Sequence, residues 1–161
     1  MSILALRRCS GEQSSEFNYQ LNNLSTLKEI LTQGDRFASE NGIQLTEVRE
    51  GYARAEVTVE ERHLNAAGVC QGGVYFTLAD LTFAAVTNSH GFISLGIQNS
   101  ITYLKSAHKG DRLIAVTEET CNHPRLPFCE TRVTNQHGDL LCVVTGSAYR
   151  KKDTFGYDAL Q

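Results

Sequence analysis

A chain of 161 residues with 41% hydrophobic and 20% charged content has the size and balance of one soluble globular domain, long enough to bury a core and too short for a second. A net charge of −3 and a pI near 5.9, with no long basic run in either half, exclude a general binder of nucleic acid or anionic membrane, because displacing counterions from phosphates takes clustered Lys and Arg. Five cysteines without a CxxC pair fit a reducing compartment better than a disulfide framework, so the expected location is the cytoplasm.

At the N-terminus, Ile3-Leu4-Ala5-Leu6 before Arg7-Arg8 is too short for a signal-peptide core and carries its charges on the wrong side. Residues 1–23 are polar and aperiodic and read as a mobile tail, the domain as 24–152, and 153–161 as a second tail. Leu24, Leu27, Ile30 and Leu31 recur at helical spacing, Thr26 and Glu29 have capping-box spacing, and Gly34 is a stop signal. Asp35 to Asn41 reads as a short helix capped by Asp35 and closed by Gly42. Tyr52 to Val59 alternates small apolar with polar side chains, and with Ile43 to Arg49 and the turn Glu50-Gly51 it predicts a hairpin.

The stretch Gly72 to Asn88 carries Val74, Tyr75, Phe76, Leu78, Leu81, Phe83 and Val86 around its whole circumference, which predicts a helix buried on most sides. It approaches the length of a membrane span, but Asp80, Asn88 and several threonines argue against one. Strands follow at Phe92 to Leu104, Arg112 to Cys121, Phe128 to Asn135 and Leu140 to Arg150. Strands, one long helix and more strands fit an α+β architecture, a curved antiparallel sheet wrapped around a central helix.

Asp80 is the one formally charged residue between Gly72 and His90, on a helix face with Gly73, Phe76, Thr77, Phe83, Ala84 and Thr87. A carboxylate among apolar side chains is costly unless something pairs or uses it, so it is either a structural Asp or a chemical one. Gly72 and Gly73 open the helix. They either let it begin against a neighbouring strand, or leave first-turn N–H groups free for a developing oxyanion at the positive end of the helix dipole. Asn65, in a loop ending at Gly68, is either turn chemistry or an amide that orients a water.

Taken together, Asn65-x-x-Gly68, Cys70-Gln71-Gly72-Gly73, Leu78-Ala79-Asp80, Phe83-Ala84, Asn88-Ser89-x-Gly91, Ile101-Thr102-Tyr103-Leu104, Gly110-Asp111 and Val133-Thr134-Asn135 resemble the hotdog-fold acyl-CoA thioesterases of the phenylacetate-pathway (PaaI-like) branch, over about Asp35 to Lys152. The resemblance implies a dimer joined sheet edge to sheet edge, often paired again into a tetramer, with sites between protomers. It implies that the Gly72 amide polarises the thioester carbonyl, that Asp80 of the facing protomer is nucleophile or general base, and that Asn65 positions water or the acyl group. Thioesters are activated enough for one carboxylate and one polarising amide, so no metal or cofactor is expected beyond the coenzyme A of the substrate.

Two departures stand out: Gln71 occupies the place where the family usually has His, and Gly96 the place where some relatives carry Ser or Thr. Phe76 and Phe83 are acyl-pocket candidates alongside Gly73 and Gly96, and Lys105 and Arg125 are candidates for the CoA phosphates. No His or Cys spacing suggests zinc, and Cys70, beside the site, reads as a small buried hydrophobe. The competing readings are a non-catalytic acyl-CoA-binding hotdog, dulled by Gln71 and Gly96, and a hotdog hydratase or dehydratase, which the missing His disfavours.

Overall fold

The computed structural model describes residues 23–154, so the predicted tails, apart from residues 23, 153 and 154, lie outside the described residues. Helix α1 occupies residues 23–34, with Leu27 buried and Leu31 against the core. Thr26 lies inside that helix, so its capping-box spacing did not mark the start. Helix α2 (Arg36–Glu40) is capped as its sequence predicts, Asp35 Oδ1 accepting the Ala38 N–H at 2.9 Å.

Strands β1 (Gln44–Arg49) and β2 (Tyr52–Thr58) form the predicted hairpin. Helix α3 (Gly72–Asn88) follows, then β3 (Phe92–Tyr103), β4 (Arg112–Cys121), β5 (Phe128–Thr134) and β6 (Leu140–Thr154). The last strand continues two residues past the boundary drawn at 152. The six strands make one antiparallel sheet in the order β1-β2-β4-β5-β6-β3. This is the hotdog fold. α3 crosses the inner face between β2, near one edge, and β3 at the other.

The sheet can curl about α3 because its inward positions are mostly small. Ala53, Ala55, Ala115, Gly146 and Ala148 are all buried, and the helix answers with Leu78, Leu81, Phe83 and Val86. A chain of three buried hydroxyls ties helix to sheet: Thr131 and Thr117 are 2.6 Å apart, Thr117 donates to Thr82 at 2.6 Å, and Thr82 donates to the Ala79 carbonyl at 2.8 Å. Each buried hydroxyl thereby finds a partner.

Both ends of α3 are fastened. At its start the Gln71 N–H donates to the His63 carbonyl at 2.8 Å, and the Tyr75 hydroxyl accepts the Ala107 N–H at 2.7 Å. At its end Asn88 exchanges hydrogen bonds with the backbone of Ser94, and the Gly51 N–H donates to Ser89 Oγ. Beside this end, buried Glu119 bridges His90 at 2.7 Å and Arg150 at 3.3 Å. A helix held this way presents its remaining face at a fixed orientation.

The helix is buried on most sides, as its sequence predicts, and one face is left. Gly73 and Asp80 are exposed and Phe76, Thr77 and Ala84 are half-buried, so one stripe of α3 is left open by this chain.

Candidate active site

The first turn of α3 is held open by its own cap. Gln71 is the N-cap, and its side-chain oxygen accepts the Gly73 N–H. The next donor, Val74 N–H, is taken by the Gln71 carbonyl at 3.0 Å. Among the described residues no acceptor meets the Gly72 N–H. One amide at the positive end of a 17-residue helix is therefore available to a ligand oxygen. Gln71 thus bears on the helix start indirectly, by consuming the neighbouring donor.

Tyr103, at the end of β3, lies across this turn and donates its hydroxyl to the Gly72 carbonyl at 3.1 Å. A Cβ on residue 72 would stand 2.8 Å from that hydroxyl, so any residue but glycine there would displace the Tyr103 ring or the helix start. Asn65 lies in the same region. Its Oδ1 accepts the N–H groups of Ala67 at 2.9 Å and Val69 at 3.3 Å, which is the turn chemistry its sequence allowed, and its Nδ2 is left for a ligand.

These residues converge on a cleft of about 350 Å³, lined by Asn65, Cys70, Gly72, Tyr75, Tyr103 and Lys105 among others. Burial pushes the Cys70 thiol up to about 11, so it is protonated at neutral pH and a poor nucleophile. Lys105 reaches the cleft already paired with Asp139 at 2.8 Å.

Asp80 lies outside this cleft, two helical turns further on. Solvent reaches its side chain, yet the protein on its other side raises its carboxyl above the usual carboxylate range. Burial is the larger cause and the Asp35 carboxylate adds to it, while a hydrogen bond from Asn99 opposes both. Asn99 Nδ2 donates to Asp80 Oδ1 at 3.2 Å. Phe76 is half-buried on the open stripe, whereas Phe83 is 4% exposed and belongs to the core, where it underlies Gly96.

The arrangement has a geometric consequence. Gly72 and Asp80 are eight residues apart on one straight helix, or about 12 Å along its axis. An oxyanion donor acts about 3 Å from the carbonyl oxygen, and a general base about 3 Å from the attacking water. Within one chain the Gly72 amide and the Asp80 carboxyl are thus set well apart along the helix.

Lys105 and Arg125 are separated as well. Lys105 is hydrogen-bonded to Leu141 and Arg125 to Arg150, nine residues apart on β6, about 30 Å. They do not meet on one phosphate within a chain. Arg125 packs over Tyr149.

The sequence reading missed Asn99 and the reach of Tyr103. The signal for Asn99 was present in the polar run Gln98-Asn99-Ser100, where an inward-facing alternation should have stayed apolar.

Comparison with known proteins follows the same residues. The pattern of the Thioesterase superfamily matches residues 67–142, from the Asn65 loop to the start of β6. The chain is 37% identical over 147 residues to a protein of Archaeoglobus fulgidus named provisionally as an esterase, covering 91% of this chain and 92% of that one. It is 28% identical over 118 residues to the acyl-coenzyme A thioesterase PaaI of Escherichia coli, 73% of this chain and 84% of that one. The solved structure of that E. coli protein superposes with a TM-score of 0.79 at 26% identity, over 83% of this chain and 96% of that one. A Streptococcus mutans protein solved bound to acetyl CoA superposes with a TM-score of 0.65 at 28% identity, over 68% and 88%.

Proposed function

The chain belongs to the thioesterase superfamily, and from that footing we propose that it hydrolyses an aryl or short-to-medium-chain acyl-CoA to the free acid and CoA, as a homodimer that pairs further into a tetramer. The observation that carries the mechanism is the free Gly72 N–H at the head of a helix whose open stripe carries Asp80.

The Gly72 N–H donates to the thioester carbonyl oxygen as that oxygen gains charge, and Asp80 of a second copy takes the proton of the attacking water. The tetrahedral intermediate then collapses, the C–S bond breaks, and the CoA thiolate leaves with that proton. Asn65 Nδ2 orients water or the acyl group. The nucleophilic alternative, in which Asp80 itself attacks, is separated by single turnover in ¹⁸O water, which labels the Asp80 carboxyl only if an acyl-aspartyl anhydride forms and is hydrolysed.

The second copy is supported by β3. It is a 12-residue strand paired only with β6, and it exposes Leu95 and Ile97 along an unpaired edge. Such an edge is normally covered. Two β3 strands joined antiparallel bring the start of one α3 toward the middle of the other, closing the 12 Å gap. The same pairing brings Lys105 of one copy toward the end of the sheet where the other carries Arg125, which suits the spread phosphates of CoA.

Buried unpaired thiols at Cys70, Cys129 and Cys142 fit the cytoplasm. No helix among the described residues is long and apolar enough to cross a membrane.

The deciding experiment is free-thiol release from acetyl-, hexanoyl-, benzoyl- and phenylacetyl-CoA, beside calorimetric binding of CoA. Turnover of at least one thioester, lost by orders of magnitude in Asp80→Asn, supports the proposal. Binding of CoA with no thiol released from any would replace it with the acyl-CoA-binding reading.

A further inference from the structure

We propose that Asn99 is the positioning residue of Asp80, its carboxamide gripping one carboxylate oxygen so that the other is presented to the reacting group. The inference rests on the reading of Asp80 as the acid–base or nucleophilic residue.

Three features of the strand around Asn99 support it. The first is a register shift between Gly96 and Gln98 in the β3–β6 ladder. In a regular strand residues 96 and 99 face opposite sides of the sheet. The extra residue of a bulge reverses the phase, so that both face α3. A Cβ built on Gly96 would lie 3.9 Å from Asn99 Nδ2, which places both on the helix side.

The second feature is Gly146, the cross-strand partner of Asn99 on β6. A Cβ there would lie 1.9 Å from Asn99 Oδ1 and 3.0 Å from its Cγ, so any other residue at 146 would evict the carboxamide. Neither Gly96 nor Gly146 has a positive φ that would call for glycine on backbone grounds. At Gly146 the missing side chain leaves room for the Asn99 carboxamide and for the Gln98 carbonyl, which a Cβ would meet at 3.0 Å, whereas at Gly96 the nearer neighbour is Phe83, at 3.4 Å.

The third feature is a cost. Asn99 Oδ1 is buried and has no hydrogen-bond partner. Turning the amide over would aim that oxygen at the Asp80 carboxylate, lone pair against charge, so the unsatisfied orientation is the one an ionised Asp80 imposes. A residue present only to fill the sheet would shed this penalty as an apolar side chain. Asn99 keeps it in exchange for a donor at the acid.

The electrostatics have one sign. The groups acting on the Asp80 carboxyl are burial and Asp35, at the cap of α2, which raise its pKa, and the Asn99 hydrogen bond, which lowers it. Removing the donor leaves burial and Asp35 unopposed. A larger share of Asp80 is then protonated at a given pH, and the acid limb of the rate moves to higher pH.

The test is the pH profile of kcat and KM for Asn99→Ala, with whichever of the four thioesters above turns over fastest. The expected result is a fall of about tenfold or more in kcat, a KM within about twofold of the parent, and an acid limb displaced to higher pH. Gly96→Ser in the Asn99→Ala background, which offers a hydroxyl donor on the same helix side of the sheet next to the space the Asn99 amide leaves, is expected to bring the limb back. Gly146→Ala, which crowds the amide without altering its chemistry, is an independent arm and should displace the limb in the same direction.

An acid limb unmoved in folded Asn99→Ala or in folded Gly146→Ala, whatever the loss of rate, overturns the inference and leaves Asn99 a structural residue. Loss of activity in Asp80→Asn with that unmoved limb condemns Asn99 alone. Parental turnover in Asp80→Asn removes the carboxylate from the reaction, and the inference with it.

Discussion

The Tyr103 hydroxyl donates to the Gly72 carbonyl across 3.1 Å, pinning the end of β3 over the first turn of α3. A methyl on residue 72 would collide with that hydroxyl at 2.8 Å. Relief by swinging the ring out or tilting the helix start alters the surroundings of the Gly72 amide in either case. Gly72→Ala is therefore expected to lower kcat/KM for thiol release by about 10²-fold, the loss typical of one oxyanion donor. Tyr103→Phe, which deletes only the hydroxyl, should cost less than about tenfold. Thermal melts of both should stay within a few degrees of the parent, since Tyr103 is half open to solvent.

Asp80 makes activity and stability respond to pH with opposite signs. Its carboxyl is raised by burial and by Asp35, and in the proposed mechanism only the ionised form acts, so turnover is expected to fall as pH drops through a value above the ordinary carboxylate range. Folding favours the protonated form of such a group. The penalty for ionising it is absent below its unfolded pKa and complete above its folded one. Asp80→Asn is expected to melt at or above the parent temperature at pH 7 while losing turnover. A clearly lower Tm would mean that the carboxylate is structural.

The unpaired edge of β3 predicts that assembly and activity fail together. Ile97 is 57% exposed and Leu95 53%. Lysines on an edge strand oppose pairing with another strand. Leu95→Lys combined with Ile97→Lys should sediment as a monomer, with turnover falling in step with the dimer fraction. A fully active monomer would refute the shared site.

The buried hydroxyl chain from Thr131 through Thr117 to Thr82 holds α3 to the sheet. Thr117→Val preserves shape and removes the link, leaving the Thr131 hydroxyl without its partner. The expected loss is about 1–3 kcal/mol, read as a lower urea midpoint at unchanged slope.

Much of the architecture was legible because periodicity and punctuation agreed. The alternation in Tyr52 to Thr58, the apolar circumference of Gly72 to Asn88 and the Asp35 cap each returned as the predicted element. What escaped the sequence was whatever depends on phase or on distance across the sheet. Counting by twos from Gly96 turns Asn99 outward, and only the bulge turns it in. Thr26 and Glu29 kept the spacing of a cap inside a helix that had already begun. Lys105 and Arg125 were both candidates for the CoA phosphates, and nothing in their spacing revealed how far apart β6 holds them. Asn65 was legible as a turn residue, since its oxygen accepts the Ala67 and Val69 N–H groups.

The eight-residue interval between the two halves of the site on α3 carries a genetic corollary. On the proposed shared site, alleles disabled at opposite halves, Gly72→Ala and Asp80→Asn, are expected to be inactive alone and to complement when co-expressed. Every mixed pair assembles one intact centre and one doubly damaged centre, so random association restores about a quarter of parental activity. Two alleles damaged in the same half restore none.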